Sequence, residues 1–297
     1  MSSTSPITNL HSAHLTLKIP EPPYFLAGAF GGPLVIYVLT PLRNALTLAS
    51  QDRQSSIRQI YGKVFSRGVR GGWVGGQWPA IPACPQFLVL GPLYHFNTSI
   101  VGPYLALPLT GAVETMITFG ANARNAEVAH NTQAVGISRV SKFTPAWRFW
   151  GPGSVPHACR NTIAMAGMRI VSPPLAEWME QNAPLWSPGS TKTAADFAAS
   201  MFTGGISMPF NQLFNYLATT PEAHTKTNRE RLSMGLDFLS RQYLRKTESG
   251  NYRISRFMLR DLVMRSLYAS GLFGIYITIE RDLVRRWEER RESLVEG

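Results

Sequence analysis

Six apolar stretches, each about long enough to cross a bilayer, set the strongest limit on how this chain can fold. About 20 residues of helix cross a hydrocarbon core of roughly 30 Å. Prolines and glycines lie inside these stretches, and membrane helices tolerate such residues better than buried helices of soluble proteins do. We therefore predict an all-α membrane protein with six transmembrane helices, and we disfavour a soluble helical protein with a large core. The stretches are residues 22–42, 79–96, 99–121, 155–178, 194–219 and 262–280.

Charge is sparse and unevenly placed. Only 16% of the residues are charged, against about 25% in soluble domains, and the net charge is +11. The segments after the first, third and fifth stretches are rich in arginine and lysine, whereas residues 95–99 carry no formal charge and residues 179–193 carry only Glu180 and Lys192. Basic loops face the inner side of a membrane, so both termini are expected on the opposite side.

The basic loops also indicate which partners to expect. Carboxylates interrupt them and they flank membrane spans, so we expect anionic lipids as neighbours and no nucleic acid. The N-terminal residues 1–23 contain no arginine and no apolar core, so neither a secretory signal nor a clear transit peptide is predicted.

Small residues recur shortly before three positions at which a helix is predicted to bend. Small side chains at such spacing let membrane helices pack closely. Repetition of this kind indicates an array of similar units whose interfaces carry the function. The three occurrences are Gly28–Gly32 before Pro41, Gly102 before Ala112 and Ser200–Gly205 before Pro209.

The segments between these helices repeat as well. Aligning residues 76–84 with residues 151–159 places one Ala-Cys pair on another. Polar segments after the odd-numbered spans, such as residues 54–65 and 229–246, carry apolar residues at broadly helical intervals, which predicts short helices on the membrane surface.

This organisation resembles the mitochondrial carrier family over nearly the whole chain. The resemblance implies the carrier fold: six spans in three pseudo-repeats, with short surface helices in the matrix. It implies the mitochondrial inner membrane as location, with both termini facing the intermembrane space. The chain would be a single domain, 1–297, made of repeats 22–98, 99–180 and 190–285 and a charged C-terminal helix extension, 280–297.

In that family each odd-numbered helix ends in Pro-x-Asp/Glu-x-x-Lys/Arg, and the charges pair between units to close one end of a central cavity. Here none of the three bases is present and Glu114 is the one acid. The resemblance therefore implies at most one ion pair, with Leu46, Ile117 and Phe214 as an apolar plug. The matching positions are Pro41, Arg43 and Leu46, then Ala112, Glu114 and Ile117, then Pro209, Asn211 and Phe214.

Arg160, Asn161 and Arg265 fall near the level at which the family contacts its substrates. Arginines inside a membrane are a functional-site hypothesis because they are expensive to bury, so these residues are the candidate anion site. The alternative is that they pair internally, for example with Glu114 or Asp261, or meet a lipid phosphate. Arg169 is open to the same two interpretations.

The sequence gives little support for metal binding, for a phosphate-binding loop or for catalysis. Cys84 and Cys159 are the only cysteines, and no Cys/His cluster has the spacing of a metal site. The glycine-rich run 68–76 lacks the Lys-Ser/Thr ending of a phosphate loop and fits a turn better. No nucleophile motif or catalytic carboxylate pair is present, so we expect no enzyme activity, no metal and no cofactor.

Two functions follow as expectations. The lost gate charges favour a non-transporting accessory or structural subunit of a mitochondrial membrane complex, such as the respiratory chain or ATP synthase, in contact with other subunits and with anionic lipids, cardiolipin among them. The alternative is a divergent working carrier that exchanges an anionic metabolite or nucleotide. An open cavity lined by positive charge would favour transport.

Overall fold

The structure is a computed structural model that describes residues 22–52, 54–133, 139–182, 187–247 and 249–295. Residues 1–21, 53, 134–138, 183–186, 248 and 296–297 lie outside this part, so the predictions made for them stay predictions. The described chain is almost entirely helical, which confirms the all-α class. Its helices are α1 Pro22–Leu26, α2 Gly32–Val38, α3 Thr40–Gln51, α4 Ile57–Val64, α5 Gln77–Gln133, α6 Ser154–Ala166, α7 Ser172–Asn182, α8 Pro188–Ile206, α9 Met208–Thr219, α10 Asn228–Tyr243 and α11 Arg256–Val295.

Shorter elements join these helices. The π-helical turns Ala27–Gly31 and Gly167–Val171 connect α1 to α2 and α6 to α7. Two surface helices, α4 and α10, begin at capping boxes in which Ser56 and Thr227 exchange hydrogen bonds with Gln59 and Glu230. The remaining elements are the 3-10 turns Val69–Trp73 and Pro221–His224 and the antiparallel strands β1 Leu244–Lys246 and β2 Tyr252–Ile254.

The surface-helix predictions hold in part. Helix α4 lies inside the predicted segment 54–65, and α10 covers most of 229–246, but residues 244–246 form β1 instead of helix. In the middle of the chain, the described residues 139–153 contain no helix. A proline at position 145 and the turn residues around it account for this difference.

Two helices, α5 and α11, are long and apolar enough to cross a membrane. A third span results if α1 to α3 count as one helix that bends by 51°. No other helix of the described residues combines the length and the apolarity needed to cross a membrane; α6, for example, has only 13 residues. By length and composition, two or three of its helices can therefore span a bilayer, which is compatible with a membrane protein.

Proline breaks two of the long helical stretches at similar places. The break between α2 and α3 lies at Leu39, two residues before Pro41, and the break between α8 and α9 lies at Ser207, two residues before Pro209. Proline has no N–H to continue the helical ladder. Side-chain hydroxyls bind carbonyls at both breaks: Thr40 Oγ1 donates to Ile36 O at 3.2 Å, and Ser207 Oγ donates to Gly204 O at 2.9 Å.

Helix α5 folds back on itself at Gly102. Gly102 has a φ of 79°, a value that favours glycine, and it divides α5 into limbs of residues 77–101 and 103–133. Asn97 Nδ2 donates to Thr110 Oγ1 at 3.0 Å across the turn. The interpretation of Gly102 as a helix-packing glycine is therefore wrong. Gly111 has that role, since a Cβ there would lie 2.5 Å from Thr162 Oγ1 on α6.

The helices close into a ring. Helix α2 packs on α5, α5 on α6, α6 on α8 and α9, and α8 on α11. Helix α11 returns to α1, α2 and α3. At one end α9 also contacts α3 and α5, so the ring is narrow there.

Arg260 connects the start of α11 to the end of α3 by hydrogen bonds. Its guanidinium donates to Ala49 O at 3.0 Å, Asp52 O at 2.9 Å and Ser55 O at 2.8 Å. The last carbonyls of a helix have no partner inside the helix, so an arginine placed there satisfies them. Asp261, which is completely buried, pairs with Arg260 at 2.7 Å and accepts a hydrogen bond from Tyr243 OH at 3.1 Å.

Asp52 completes this junction at the start of the loop to α4. Partial burial alone would raise the pKa of Asp52, but its hydrogen bonds with Lys63, with Ser55 and with the backbone of Gln54 hold that pKa well below its usual range. At neutral pH the carboxylate is therefore ionised, and it holds the loop to α4 through its ion pair with Lys63.

We expect Arg260→Met to lower the free energy of unfolding by about 3–5 kcal/mol, because it leaves Asp261 buried without its ion partner. The matched control is Arg241→Gln on α10, which removes an exposed ion pair to Asp237 and should cost less than about 1 kcal/mol. Thermal unfolding of the purified protein in detergent measures both. Equal effects of the two substitutions would contradict a structural role for Arg260.

Candidate anion-binding cavity

A cavity of about 850 Å³ lies inside the ring of helices. Its walls come from α1 to α3, both limbs of α5, α6 and α11. Aromatic and apolar side chains form much of the wall, including Phe87 and Tyr276, whose rings lie 4.5 Å apart. Four arginines and two glutamates supply its charge: Arg43, Arg160, Arg169, Arg265, Glu114 and Glu280.

Three of these arginines, Arg43, Arg160 and Arg265, meet at one end of the cavity, which we call the floor. They come from α3, α6 and α11, so each is contributed by a different part of the ring. All three also line a second, much smaller void of about 10 Å³ on the other side of the floor, which has room for one water at most. The arginine layer therefore separates the open cavity from the narrow end of the ring.

Arg43 is held in place from two sides. Its Nη2 and Nε donate to Tyr268 OH at 2.6 and 3.2 Å, and its Nη1 donates to Asn122 Oδ1 at 2.6 Å. Asn122 Nδ2 in turn lies 3.2 Å from His157 Nε2. These partners orient the guanidinium but do not neutralise its charge.

Arg160 and Arg265 are oriented in the same way. Arg160 donates to Asn161 Oδ1 at 3.0 and 3.1 Å and to Asn211 Oδ1 at 3.2 Å, and it lies over the Phe214 ring. Arg265, which is 5% exposed, donates to Ser207 Oγ at 3.2 Å and lies over the Tyr268 ring. Every hydrogen-bond acceptor is again neutral.

None of the three floor arginines forms an ion pair within 4.0 Å among the described residues. Glu114 lines the same cavity, but its Oε1 accepts a hydrogen bond from Gln86 Nε2 at 2.7 Å. Asp261 pairs with Arg260. The internal ion pairs considered from the sequence, with Glu114 or Asp261, are therefore not the contacts that these arginines make.

At the narrow end of the ring, the first and third of the three motifs lie where the sequence suggests. Leu46 and Phe214 are buried, each 2% exposed, and line the small void together with Arg43 and Asn211. Pro41 and Pro209 lie just after the two helix breaks. Both outer motifs thus reach the same layer of the structure.

The middle motif lies elsewhere than the sequence suggests. Ala112 is exposed, Ile117 is half-buried and does not line the small void, and Glu114 faces the large cavity. The side chains that meet Arg43, Leu46, Asn211 and Phe214 at the void are Asn122 and Asn125. The register of the middle motif is therefore corrected by roughly two helical turns, to Gly120, Asn122 and Asn125.

Gly120 explains why the sequence did not indicate this register for the middle motif. A Cβ there would lie 2.5 Å from Arg148 O and 2.6 Å from Ala146 O, so the helix approaches the following loop too closely for any side chain. The middle helix has glycine where the outer helices have proline, and it carries no break to mark the position. The one available signal was the pair of asparagines three residues apart, which matches the spacing of Arg43 and Leu46.

The rim of the cavity holds the fourth arginine. Arg169 lies over the Tyr94 ring, nine residues and thus about 13 Å along the helix from Arg160. Nearby, Arg281 on α11 pairs with Asp196 on α8 at 2.7 Å, and Asp196 also accepts a hydrogen bond from Ser172 on α7. Arg169 therefore does not belong to the floor.

Sequence reasoning missed Tyr268 and Asn122, the two residues that hold Arg43. Nothing local distinguishes them, because Tyr268 is 225 positions from Arg43 and Asn122 is 79 positions away.

Across the described residues there is no group of three or more His, Cys, Asp or Glu side chains that would hold a metal ion. The expectations of no metal, no cofactor and no enzyme activity stay predictions.

No protein-family model matches this chain. No curated protein matches it either.

We expect Asn122→Asp to stabilise the protein by about 1 kcal/mol, because it places a carboxylate on Arg43 at hydrogen-bonding distance and His157 can donate to it by changing tautomer. Asn125→Asp is the matched control. Asn125 Nδ2 faces the oxygens of Asn44 and Val74 at 3.3 and 3.4 Å, so an acid there should cost about 1–3 kcal/mol. Thermal unfolding checks both, and the reverse order would contradict the corrected register.

Proposed function

We propose that this chain is a carrier-like protein of the mitochondrial inner membrane that moves a small organic anion through its central cavity. In this proposal the helical ring consists of six spans in three repeats. The basic loops face the matrix, and both termini face the intermembrane space. The closed ring of helices, the paired proline breaks and the layer formed by Arg43, Asn122 and Asn211 support this arrangement.

The observation that carries the proposal is a large cavity with three floor arginines that form no ion pair with any residue the structure describes. Charged side chains are expensive to keep inside a membrane, and those that persist there generally line substrate paths. A volume of about 850 Å³ falls within the range of small-molecule sites. Positive charge in a cavity of this size favours an anionic solute over a purely structural interior.

A second function, an accessory subunit of a larger mitochondrial membrane complex, draws on two other observations. The narrow end of the ring holds no ion pair within the described residues and is filled partly by Leu46 and Phe214, so it can stay closed without a substrate cycle. Helix α11 continues as a charged helix with Trp287 and Leu294 exposed, which offers a surface for another subunit.

Uptake into proteoliposomes distinguishes the two functions. We expect saturable uptake of an organic anion, with kcat/KM reduced at least about tenfold by Arg160→Gln, since charge-assisted hydrogen bonds to the solute are lost. Arg124→Gln is the matched control, because Arg124 stacks on Trp78 and Phe143 and does not line the cavity.

The absence of saturable uptake over a panel of mono- and dicarboxylates and organic phosphates would reject transport. Comigration with a large complex in native gels of mild-detergent extracts would then favour the accessory role. Migration as a lone monomer, with uptake present, would reject that role instead.

A further inference from the structure

We propose that the floor of the cavity is a binding site for a phosphoryl dianion, held by Arg43, Arg160 and Arg265, and that this ligand stabilises the closed end of the ring. The proposal rests on the proposed anion-binding function of the cavity and adds the class of ligand and the effect of its binding. Arg43 is the residue that makes the site distinctive, because it stands at the motif position where a carboxylate was expected.

The charge at the floor calls for a dianion. Three guanidiniums contribute three positive charges, and Glu114 is the nearby carboxylate that lines the same cavity. Three charges less one leave an excess of two if Glu114 is ionised, and of three if it is not. A phosphate monoester carries close to two negative charges at neutral pH.

The unused hydrogen-bond donors point to a group with three oxygens. A guanidinium has five N–H donors. Within the described residues Arg43 uses three, Arg160 uses three and Arg265 uses one, which leaves two, two and four N–H groups. Eight donors that approach from three helices exceed what one carboxylate can accept and match a terminal phosphoryl group.

The rest of the cavity can hold the organic group to which the phosphoryl group is attached. Above the floor the wall includes the paired rings of Phe87 and Tyr276 and the side chains of Met165, Met168 and Leu272. The ligand class that follows is an organic phosphate monoester with an apolar or aromatic body.

Such a ligand would join α3, α6 and α11 at the level where the ring narrows. It supplies the negative charge that is absent from the neutral layer of Asn122, Asn125 and Asn211. A ligand that binds one state stabilises that state by mass action. Binding therefore favours the closed end, whereas a gate of ion pairs would be weakened by an anion that competes for its bases.

The test is thermal unfolding of the purified full chain in detergent at constant ionic strength. Phenyl phosphate is the probe, and benzenesulfonate, a monoanion of similar shape, is its control. We expect a saturable rise of several degrees in Tm with phenyl phosphate and at most a tenth of the apparent affinity with benzenesulfonate. The phenyl phosphate effect should fall as pH drops below about 6, where the probe becomes a monoanion.

Two variants place the effect at the floor. Arg43→Gln and Tyr268→Phe should each weaken the apparent affinity for phenyl phosphate about tenfold or more, the first by removing a donor and the second by releasing Arg43. Arg281→Gln is the control, because it breaks the rim ion pair with Asp196 and should lower the basal Tm while the response to phenyl phosphate persists.

The outcomes separate this proposal from the transport function. Uptake of carboxylates alone, without any rise in Tm from phenyl phosphate, would overturn the dianion site and leave transport intact. A rise in Tm that depends on Arg43, without uptake, would support the site and reject transport. Equal responses to phenyl phosphate and benzenesulfonate would overturn the dianion site.

A second inference comes from the hairpin of β1 and β2, which lies just before α11. Its register pairs Leu244 with Ile254, Arg245 with Arg253 and Lys246 with Tyr252. Directly opposed residues share a face, so Leu244, Tyr252, Ile254 and Lys246 lie on one face and the two arginines on the other. All six side chains are exposed, Ile254 by 70% and Tyr252 by 66%.

We infer that this hairpin lies in the anionic headgroup layer of the membrane that α11 crosses. Strand β2 ends two residues before α11 begins, and Ser255 N donates to Tyr243 O at 2.8 Å to close the base of the hairpin. A stripe of exposed apolar residues, Leu259, Val263 and Leu267, continues along α11. The like-charged pair Arg245 and Arg253 has no acidic partner within the described residues, so lipid phosphates complement its charge.

Spin labels test this placement in vesicles that contain anionic lipid, with Cys84 and Cys159 replaced by serine. We expect labels at Ile254→Cys and Tyr252→Cys to collide mainly with oxygen, and a label at Arg253→Cys to collide mainly with an aqueous nickel complex. Equal water access at all three positions would overturn the inference. Labels that neither reagent reaches would also overturn it, since another protein would then cover the hairpin.

Discussion

The constraint on which the interior of this protein depends is a set of three guanidiniums, one buried and two half-buried, that form no ion pair with any described residue. Moving an ion from water to a low-dielectric interior costs several kcal/mol after relaxation, and hydrogen bonds to neutral groups recover only part of that cost. The ring provides a phenol, amides and a hydroxyl, in Tyr268, Asn122, Asn161, Asn211 and Ser207, that hold the arginines in fixed directions. The positive charge therefore remains available to a bound anion.

Arg260 illustrates the opposite use of the same side chain. Its charge is met by Asp261, and its other hydrogen bonds go to backbone carbonyls at and just after the end of α3. Four of its five N–H donors are used and its charge is paired, so little remains for a ligand. The difference between a structural arginine and a candidate binding arginine thus lies in the partners that neighbouring helices supply.

The helix breaks explain how the floor is formed. The helices α3 and α9 begin just after the breaks before Pro41 and Pro209, and their residues Arg43, Leu46, Asn211 and Phe214 meet at the small void. Helix α5 reaches the same layer without a break at this point, and at Gly120 its backbone approaches the loop after the helix closely. Different backbone solutions therefore converge on one layer of side chains.

The sequence by itself determined the helical class, the apolar membrane character, the two proline breaks and the candidacy of Arg160, Asn161 and Arg265. Each of these is a local property of composition or spacing. Only the tertiary structure decided that Gly102 is a turn, that the middle motif lies at Asn122 and Asn125, and that Tyr268 and Asn122 hold Arg43. Those facts depend on contacts between residues far apart in the chain, and local patterns do not encode which helices meet or at what level their side chains face each other.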